Sequence, residues 1–254
     1  VQVRPSSYSY YLMLEQPLLE LEGKNIALVA MGQSQIDYHL SRTHSLAFDE
    51  VWAINAMVSV LPEIDRAFIL DPMSRFLDTE DAGSMTEIMR KYLPQIDYPI
   101  YTCELDKRVP AAEEFPLGPL VGDLGCAYFN NTVAYAIAFA LWNKVSHLTV
   151  FGVDFTYKTN MHFAESGKAC CEFWLAKCME NNIEVSVAPR SNLLETDIPT
   201  KEKLYGYHRL EDPVITYMDK GKMGVCKWSD IIKEEQQFIG MINRNDLPPE
   251  PEEY

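Results

Sequence analysis

The stretch Asn25-Ile-Ala-Leu-Val-Ala-Met-Gly-Gln-Ser34 decides the fold class of this 254-residue chain. Its first part is apolar on nearly every residue, which is typical of a strand that is covered on both faces of a sheet. A Gly-Gln-Ser turn follows directly, and a helix is predicted over about 35–42. A strand, a glycine turn and a helix form the opening half of a strand–helix–strand unit with parallel strands.

The same alternation repeats along the chain. Further apolar runs predict strands at 50–55, 66–70, 98–102, 148–153 and 183–187. Helices are predicted at 85–92, at 131–142 from its content of Ala, Ile and Leu, and at 165–181 from the helical spacing of its apolar residues. The alternation predicts an α/β fold, with an open, mostly parallel sheet and helices on both faces. The segment 103–125 is rich in proline and glycine, so it is predicted to be a long loop.

Three further segments flank the predicted sheet domain at 24–198. Residues 1–23 form a lead-in, whose tyrosines indicate a contact surface and leave a homo-oligomer open. Residues 199–246 are predicted as a C-terminal strap, loop-like over 199–226 and helical over 229–244 with Ser229 or Asp230 as the cap. The tail 247–254 is acidic and rich in proline, so it is predicted to be disordered.

Charge and composition exclude several classes of function. Lys and Arg number 22 against 37 Asp and Glu, for a formal charge of −15. An extended nucleic-acid surface needs a basic face, so none is expected. No run of about 18 apolar residues predicts a membrane span, and no signal peptide is recognised. The six cysteines form no CxxC pair, which favours reduced thiols in a cytoplasmic protein.

Polar residues follow most of the predicted strands. Ligands of an open parallel sheet bind beyond the carboxyl ends of its strands, so these residues are site candidates. Gly32, Gln33 and Ser34 can offer backbone N–H groups and a hydroxyl to a phosphate. The alternative is a tight turn with Ser34 as a helix cap. The turn matches neither the dinucleotide fingerprint GxGxxG nor the P-loop.

Four more candidates lie after other strands or at a helix start. Asn55 either hydrogen-bonds a base or ribose or is a turn residue. Asp71, which precedes Pro72, either contacts a sugar hydroxyl or Mg²⁺ or simply ends its strand. Asn131 or Thr132 is predicted to cap the alanine-rich helix, and such a cap can also serve a ligand.

The densest group of chemically active side chains follows the strand at 148–153. Asp154, Tyr157, His162, Glu165 and Lys168 lie within 15 residues. His162 can act as a general acid or base near neutral pH. Lys158 or Lys168 can neutralise a phosphate, and Glu165 either reacts or stabilises the first turn of its helix.

The segment Leu204-Tyr-Gly-Tyr-His-Arg209 places aromatic rings beside cations. Its Tyr207 either closes over a base or sugar or packs on the core.

Several of these stretches together resemble one superfamily with a Rossmann-like core, over roughly residues 24–195. The matching stretches are Met31-Gly-Gln-Ser34, Asn55, Asp71-Pro72, Asn131-Thr132 and Gly152-Val-Asp154 with His162-Phe-Ala164. The superfamily includes bacterial sialyltransferases of the Campylobacter lipooligosaccharide type, motility accessory factors that glycosylate flagellin, and 6-hydroxymethylpterin diphosphokinase-like proteins. The chain also resembles uncharacterised proteins of tailed bacteriophages, in the segments 165–175 and 204–207.

Three features depart from the sialyltransferase pattern. Those enzymes hold the donor with an Asn-Gly-Pro-Ser turn, which Gly32 and Ser34 match. Met31 and Gln33 do not match it, and the asparagine missing at position 31 argues against CMP-sialic acid as the donor. Their tyrosine after Gly-x-Asp-Phe is shifted here to Tyr157. Their catalytic histidine lies further downstream, whereas His162 fits the His-Ala pair of the other two groups.

The resemblance implies a nucleotide-binding domain at 24–198. The first expectation is a glycosyltransferase that uses a nucleotide-activated sugar and requires no cofactor, with a glycan, a protein or a modified nucleotide as acceptor. His162, Asp154 and Glu165 are its expected catalytic residues. The expected nucleotide and sugar contacts are Gly32, Gln33, Ser34, Asn55, Asp71, Asn131, Thr132, Tyr157, Lys168 and Tyr207.

Two alternatives stay open. One is a pyrophosphokinase that acts on a hydroxymethyl compound, with Mg²⁺ held by Asp71 and Asp154. The other is a non-catalytic nucleotide-binding or virion-associated module. A phage-encoded protein would work in the host cytoplasm.

Overall fold

The opening apolar run forms strand β1 (Asn25–Val29) in the interior of a seven-stranded sheet. It pairs in parallel with β2 (Glu50–Ile54) on one side and with β6 (His147–Phe151) on the other. The remaining strands are β3 (Arg66–Phe68), β4 (Ile100–Thr102), β5 (Ala112–Glu114) and β7 (Glu184–Val187). The order is β5-β4-β3-β2-β1-β6-β7, with every pair parallel. The predicted Rossmann-like sheet is thereby confirmed.

This computed structural model describes residues 16–44, 46–156, 160–198, 203–219 and 222–232. The described residues fall into two units, with the division between Thr196 and Asp197. The first unit contains the seven-stranded sheet. The second contains an antiparallel pair, β8 (Val214–Asp219) and β9 (Lys222–Lys227). None of the described helices is long and apolar enough to cross a membrane.

Helices cover both faces of the large sheet because alternate residues of each strand point to opposite sides. Ile26 and Leu28 of β1 belong to a buried cluster with side chains of α4 (Leu117–Leu124), α5 (Thr132–Trp142) and α6 (Met161–Glu180). Ala27 and Val29 belong to a second cluster with side chains of α1 (Ile36–Thr43), α2 (Met73–Leu77) and α3 (Met85–Tyr92).

Helix α5 is the most deeply buried of these helices, with nine of its eleven residues buried. Phe139 on this helix packs against Trp52, Phe68 and Tyr101, with ring centroids 4.7 to 5.7 Å apart. Its alanines bring the helix backbone close to the sheet. The packing of α5 in the core therefore fixes the position of its first turn at the carboxyl ends of the strands.

A buried group of charges lies at the amino ends of β2 and β3. Glu50 accepts hydrogen bonds from Arg66 Nε, Lys24 Nζ and Trp52 Nε1, each 2.8 Å long. Burial alone would raise the pKa of Glu50, but these hydrogen bonds outweigh it and hold the pKa below its usual value. The ionised pair is satisfied within the core and lies away from the carboxyl ends of the strands.

The predicted loop at 103–125 is wrong, because it contains β5 and α4. The sequence Ala112-Glu-Glu of β5 lacks an apolar run since it forms the polar edge of the sheet. Helix α4 tolerates Pro119 because the first turn of a helix needs no N–H from that position. It ends at Gly125, whose φ of +65° is the left-handed conformation that commonly ends a helix.

The predicted start of the helix at Glu165 is also wrong, because α6 begins at Met161. Asn160 caps it by accepting a hydrogen bond from the Phe163 N–H, at 3.2 Å. Glu165 thus lies in the second turn and Lys168 beyond it. Neither residue is then explained by the charge preferences of a first helical turn.

The strap over 199–226 is not loop-like throughout, since it contains the β8–β9 pair. A helix begins at position 228, so Ser229 lies inside it and is not its cap; the Ser229 hydroxyl donates to Asp212, at 2.8 Å. Most of the predicted lead-in, most of the predicted C-terminal helix and the acidic tail lie outside the described residues.

Candidate functional site at the carboxyl ends of the strands

The strand order places a ligand-binding position at the carboxyl ends of β1 and β6. The chain builds β2 to β5 on one side of β1 and then returns to the other side with β6. Ligands of open α/β sheets bind at such a switch point. A cleft of about 710 Å³ lies there, within the range of roughly 300–1,000 Å³ that is usual for small-molecule sites.

Two glycines let the two strand ends approach closely. The Gly32 N–H donates to the Gly152 carbonyl at 2.7 Å. Gly152 has a φ of +67°, and a Cβ on it would lie 2.0 Å from the carbonyl oxygen of Ala30. A Cβ on Gly32 would lie 2.6 Å from both the Gly152 carbonyl and an Asp154 carboxylate oxygen. Both positions therefore require glycine.

Hydrogen bonds between Ser34 and Asp154 hold the segment after β1 against the segment after β6. The Ser34 hydroxyl donates to Asp154 Oδ1 and the Ser34 N–H to Oδ2, both at 2.6 Å. The same hydroxyl accepts from the Gly152 N–H at 3.0 Å. Ser34 is fully buried and does not line the cleft, whereas Gly32, Gln33 and Asp154 do. The Ser34 hydroxyl, which was predicted as a possible phosphate contact, thus makes its hydrogen bonds within the protein.

Asn55 follows β2 and lines the cleft with an unsatisfied acceptor. Its φ of +51° is a left-handed conformation that asparagine tolerates better than most residues. Its Oδ1 is buried and has no hydrogen-bond partner among the described residues. An unpaired buried acceptor costs about 1–3 kcal/mol, so a ligand N–H or O–H at this position would be stabilised.

Asp71 and Arg75 form the wall beyond β3. Asp71 precedes the first turn of α2, and its Oδ1 accepts a hydrogen bond from Arg75 Nη1 at 2.5 Å. Both side chains remain partly exposed. Among the described residues that line the cleft, Arg75 is the one cation. The sequence contains a signal for Arg75, because this residue lies four positions after Asp71 and such a spacing brings two side chains together on a helix. The helix begins just beyond the carboxyl end of β3.

The first turn of α5 also lines the cleft. This helix packs on the other face of the sheet from α2, which carries Arg75. Asn131 is its cap, accepting from the Ala134 N–H at 3.0 Å, and Thr132 is its first residue. Burial raises the pKa of the Cys171 thiol, so the thiol stays protonated and donates to Asn131 Oδ1 at 3.4 Å. The positive end of this helix is suited to an anionic group in the cleft.

The remaining predicted site residues lie elsewhere. His162 is exposed in the first turn of α6, and its neighbour Phe163 lines the cleft. Glu165 and Lys168 line a neighbouring pocket. Tyr207 lies in a short 3₁₀ turn of the second unit, and Tyr157 and Lys158 lie outside the described residues.

The cleft residues that were not predicted as site residues include Arg75, Phe155, Thr156 and Phe163. Asp71 and Asp154, the expected Mg²⁺ ligands of one alternative, pair with Arg75 and Ser34 respectively. Within the described ranges, no group of three or more His, Cys, Asp or Glu side chains is arranged to hold a metal ion.

Comparisons with known proteins found similar solved structures only. No protein-family model and no curated protein matches the sequence. The chain is similar to the sialyltransferase CstII from Campylobacter jejuni, solved with the substrate analogue CMP-3FNeuAc, at 16% identity over 67% of this chain and 83% of that chain, with a TM-score of 0.46. The same enzyme solved with cytidine-5′-monophosphate gives 14% identity over 67% and 82%, with a TM-score of 0.42. At these identities the likeness concerns the fold alone.

Proposed function

We propose that this chain binds a nucleotide-activated sugar in the switch-point cleft and transfers the sugar to an acceptor hydroxyl. The observation that carries the proposal is the composition of the cleft. It combines the tight Gly32–Gly152 junction, the first turn of α5 and one arginine at the carboxyl ends of parallel strands. Closely approaching backbone and a helix N-terminus are features that suit phosphate binding.

Each wall of the cleft has a separate part in holding the donor. The first turn of α5 and Arg75 neutralise the phosphates, which are the charged centre of a sugar nucleotide. Asn55 offers its unpaired Oδ1 to an N–H of the base or to a sugar hydroxyl. The Gly32–Gln33 backbone lines the cleft beside the donor, and the absence of a Cβ at position 32 lets this turn pack against Gly152 and Asp154.

The transfer itself is a substitution at the anomeric carbon. The acceptor oxygen forms the new bond, and the bond from the anomeric carbon to the phosphate oxygen breaks, with its electron pair leaving on the nucleotide. The acceptor proton must be removed in the same event. We assign that proton to His162, which does not itself line the cleft but is exposed in the first turn of α6, next to Phe163, which does.

A binding titration tests the donor class directly. Purified protein is titrated calorimetrically with CMP, UDP, GDP, ADP and ATP, each with and without Mg²⁺. We expect one of CMP, UDP or GDP to bind without a requirement for Mg²⁺. Binding of ATP alone, and only with Mg²⁺, would favour the pyrophosphokinase; binding of none would contradict both activities.

Replacing Arg75 with methionine should weaken nucleotide binding about 10-fold or more, because a hydrogen bond to a charged group contributes about 1.5–3 kcal/mol. The matched control is Arg108→Met. Arg108 is also about half exposed and also pairs with aspartates, but it does not line the cleft. Equal affinities for the two variants would remove Arg75 from the donor site.

Replacing His162 with alanine should lower kcat for nucleotide release from the sugar nucleotide about 100-fold, with little change in KM, because general acid–base catalysis contributes about 10²–10⁴. The control is His44→Ala, an exposed histidine after the end of α1. A change of kcat below about threefold would show that another group moves the proton.

A further inference from the structure

A second pocket, of about 430 Å³, opens beside the switch-point cleft. Phe155 and Thr156 line both spaces, so these two residues form a shared wall. The other residues that line the second pocket are Met161, Ala164, Glu165, Lys168 and Asn192. A molecule in this pocket and a molecule in the cleft would therefore be neighbours.

The shared wall is held in place from two sides. Asn192 accepts from the Phe155 N–H at 3.3 Å and donates to the Phe155 carbonyl at 3.4 Å, so it engages both backbone groups of that residue. The Phe155 ring packs against α6 at Gly167, where a Cβ would lie 2.5 Å from the ring. The wall is thus fixed by the surrounding fold and does not depend on a ligand.

The pocket combines an apolar surface with one carboxylate and one ammonium. Phe155, Met161 and Ala164 supply the apolar part. Glu165 and Lys168 lie three positions apart on α6, which places them on the same face of the helix. A carboxylate accepts hydrogen bonds from hydroxyls, and an ammonium donates to them. A sugar ring has the matching surface, with an apolar C–H face and hydroxyls around its edge.

Charge selects the kind of sugar. Lys168 Nζ lies 3.7 Å from Glu172 Oε1, and that oxygen also accepts from the Leu194 N–H at 2.7 Å. The ammonium is therefore shared between the pocket and Glu172, and Glu165 adds a second carboxylate. Among the described residues that line the pocket, Glu165 and Lys168 are the two charged groups and balance each other, so an anionic ring would be repelled by Glu165 and a cationic ring by Lys168. A neutral ring fits both.

We propose that this second pocket binds the acceptor as a neutral sugar ring, and that one of its hydroxyls reaches past the Phe155–Thr156 wall to the donor in the cleft. The proposal rests on the proposed glycosyl transfer. It adds the acceptor class and its site, which the cleft alone does not define. Glu165 and Lys168 then act on the acceptor, whereas the sequence assigned them to catalysis and to the nucleotide.

Saturation-transfer NMR tests the pocket on the full chain with its bound nucleotide. The probes are methyl β-D-galactopyranoside and methyl α-D-glucopyranoside, with glucuronic acid and glucosamine as charged comparisons. We expect signals from at least one neutral glycoside and weaker signals from the charged sugars. The variants Glu165→Ala and Lys168→Ala should each bind that glycoside about 10-fold more weakly while keeping the nucleotide affinity.

The control pair is Lys177→Ala and Glu180→Ala. These residues have the same spacing on the same helix and form an ion pair of 3.0 Å, but they line neither pocket. Equal losses in the control pair, stronger binding of a charged sugar, or no neutral signal from nucleotide-loaded protein would overturn the proposal. Glycoside binding by a protein that binds no nucleotide would instead contradict the glycosyl transfer and leave the sugar pocket standing.

Discussion

Replacing Gly152 with alanine is expected to destabilise the first unit by at least about 3 kcal/mol, because a strained left-handed residue and a steric clash act together. The residue has a φ of +67°, and the new Cβ would lie 2.0 Å from the backbone carbonyl of Ala30. That carbonyl belongs to the end of β1 in the sheet interior, so it cannot move without disturbing the sheet. The melting temperature should fall by about 6–12 °C.

The control for this variant is Gly122→Ala. Gly122 lies in α4, is exposed, and would place its Cβ in open space. Alanine favours a helix over glycine by about 1 kcal/mol, so this variant should match or exceed the stability of the parent chain. Thermal and urea unfolding of both variants give the comparison. Similar melting temperatures for the two would show that the tight Ala30–Gly152 approach is not required.

Replacing Asp154 with asparagine should cost about 1–3 kcal/mol of stability and weaken nucleotide binding about 10-fold or more. Ser34 presents two donors to the two carboxylate oxygens, and an amide supplies only one oxygen. The amide nitrogen must then face the Ser34 hydroxyl or the Ser34 N–H. The Gly32–Gln33 turn loses its anchor, and the donor loses the backbone surface that this turn provides.

The matched control is Asp123→Asn. Among the described residues, Asp123 accepts one hydrogen bond, through one oxygen, from Trp142 Nε1 at 2.7 Å, so an amide can replace it at little cost. Urea unfolding and calorimetric titration separate the two effects. Normal stability and normal binding with a reduced rate would identify Asp154 as a catalytic residue, as the sequence suggested, and would contradict the anchoring role.

The parts of the fold that the sequence predicts are those with strong apolar runs. Strand β1 is buried between two layers of helices, so most of its residues are apolar, and β6 adds Leu148, Val150 and Phe151 to the same two buried clusters. The missed elements lack this signal. Edge strand β5 reads as Ala-Glu-Glu, and α4 contains glycines and a proline that its exposed position tolerates. The β8–β9 pair lies in a stretch whose many tyrosines and charges resemble a loop.

The candidate site is predicted in part for a similar reason. Residues within three positions after a strand, such as Gly32, Asn55 and Asp154, come together because parallel strands end at the same side of the sheet. Arg75 and Phe163 depend instead on where a helix begins. Helix α2 is only five residues long, and α6 starts four residues before its predicted start. Periodicity does not define such boundaries well.

The hydrogen bonds between Ser34 and Asp154 join residues that are 120 positions apart. During synthesis, the ribosome releases the β1 end of the cleft long before the β6 end exists. A nascent chain that ends before β6 contains Asn55 and Asp71 of the cleft, but it lacks Gly152 and Asp154, which are the hydrogen-bond partners of the Ser34 hydroxyl. Contacts of such sequence separation form late and slow folding. A nucleotide can therefore stabilise only chains that have already closed the sheet, since a ligand shifts folding only through the state that it binds.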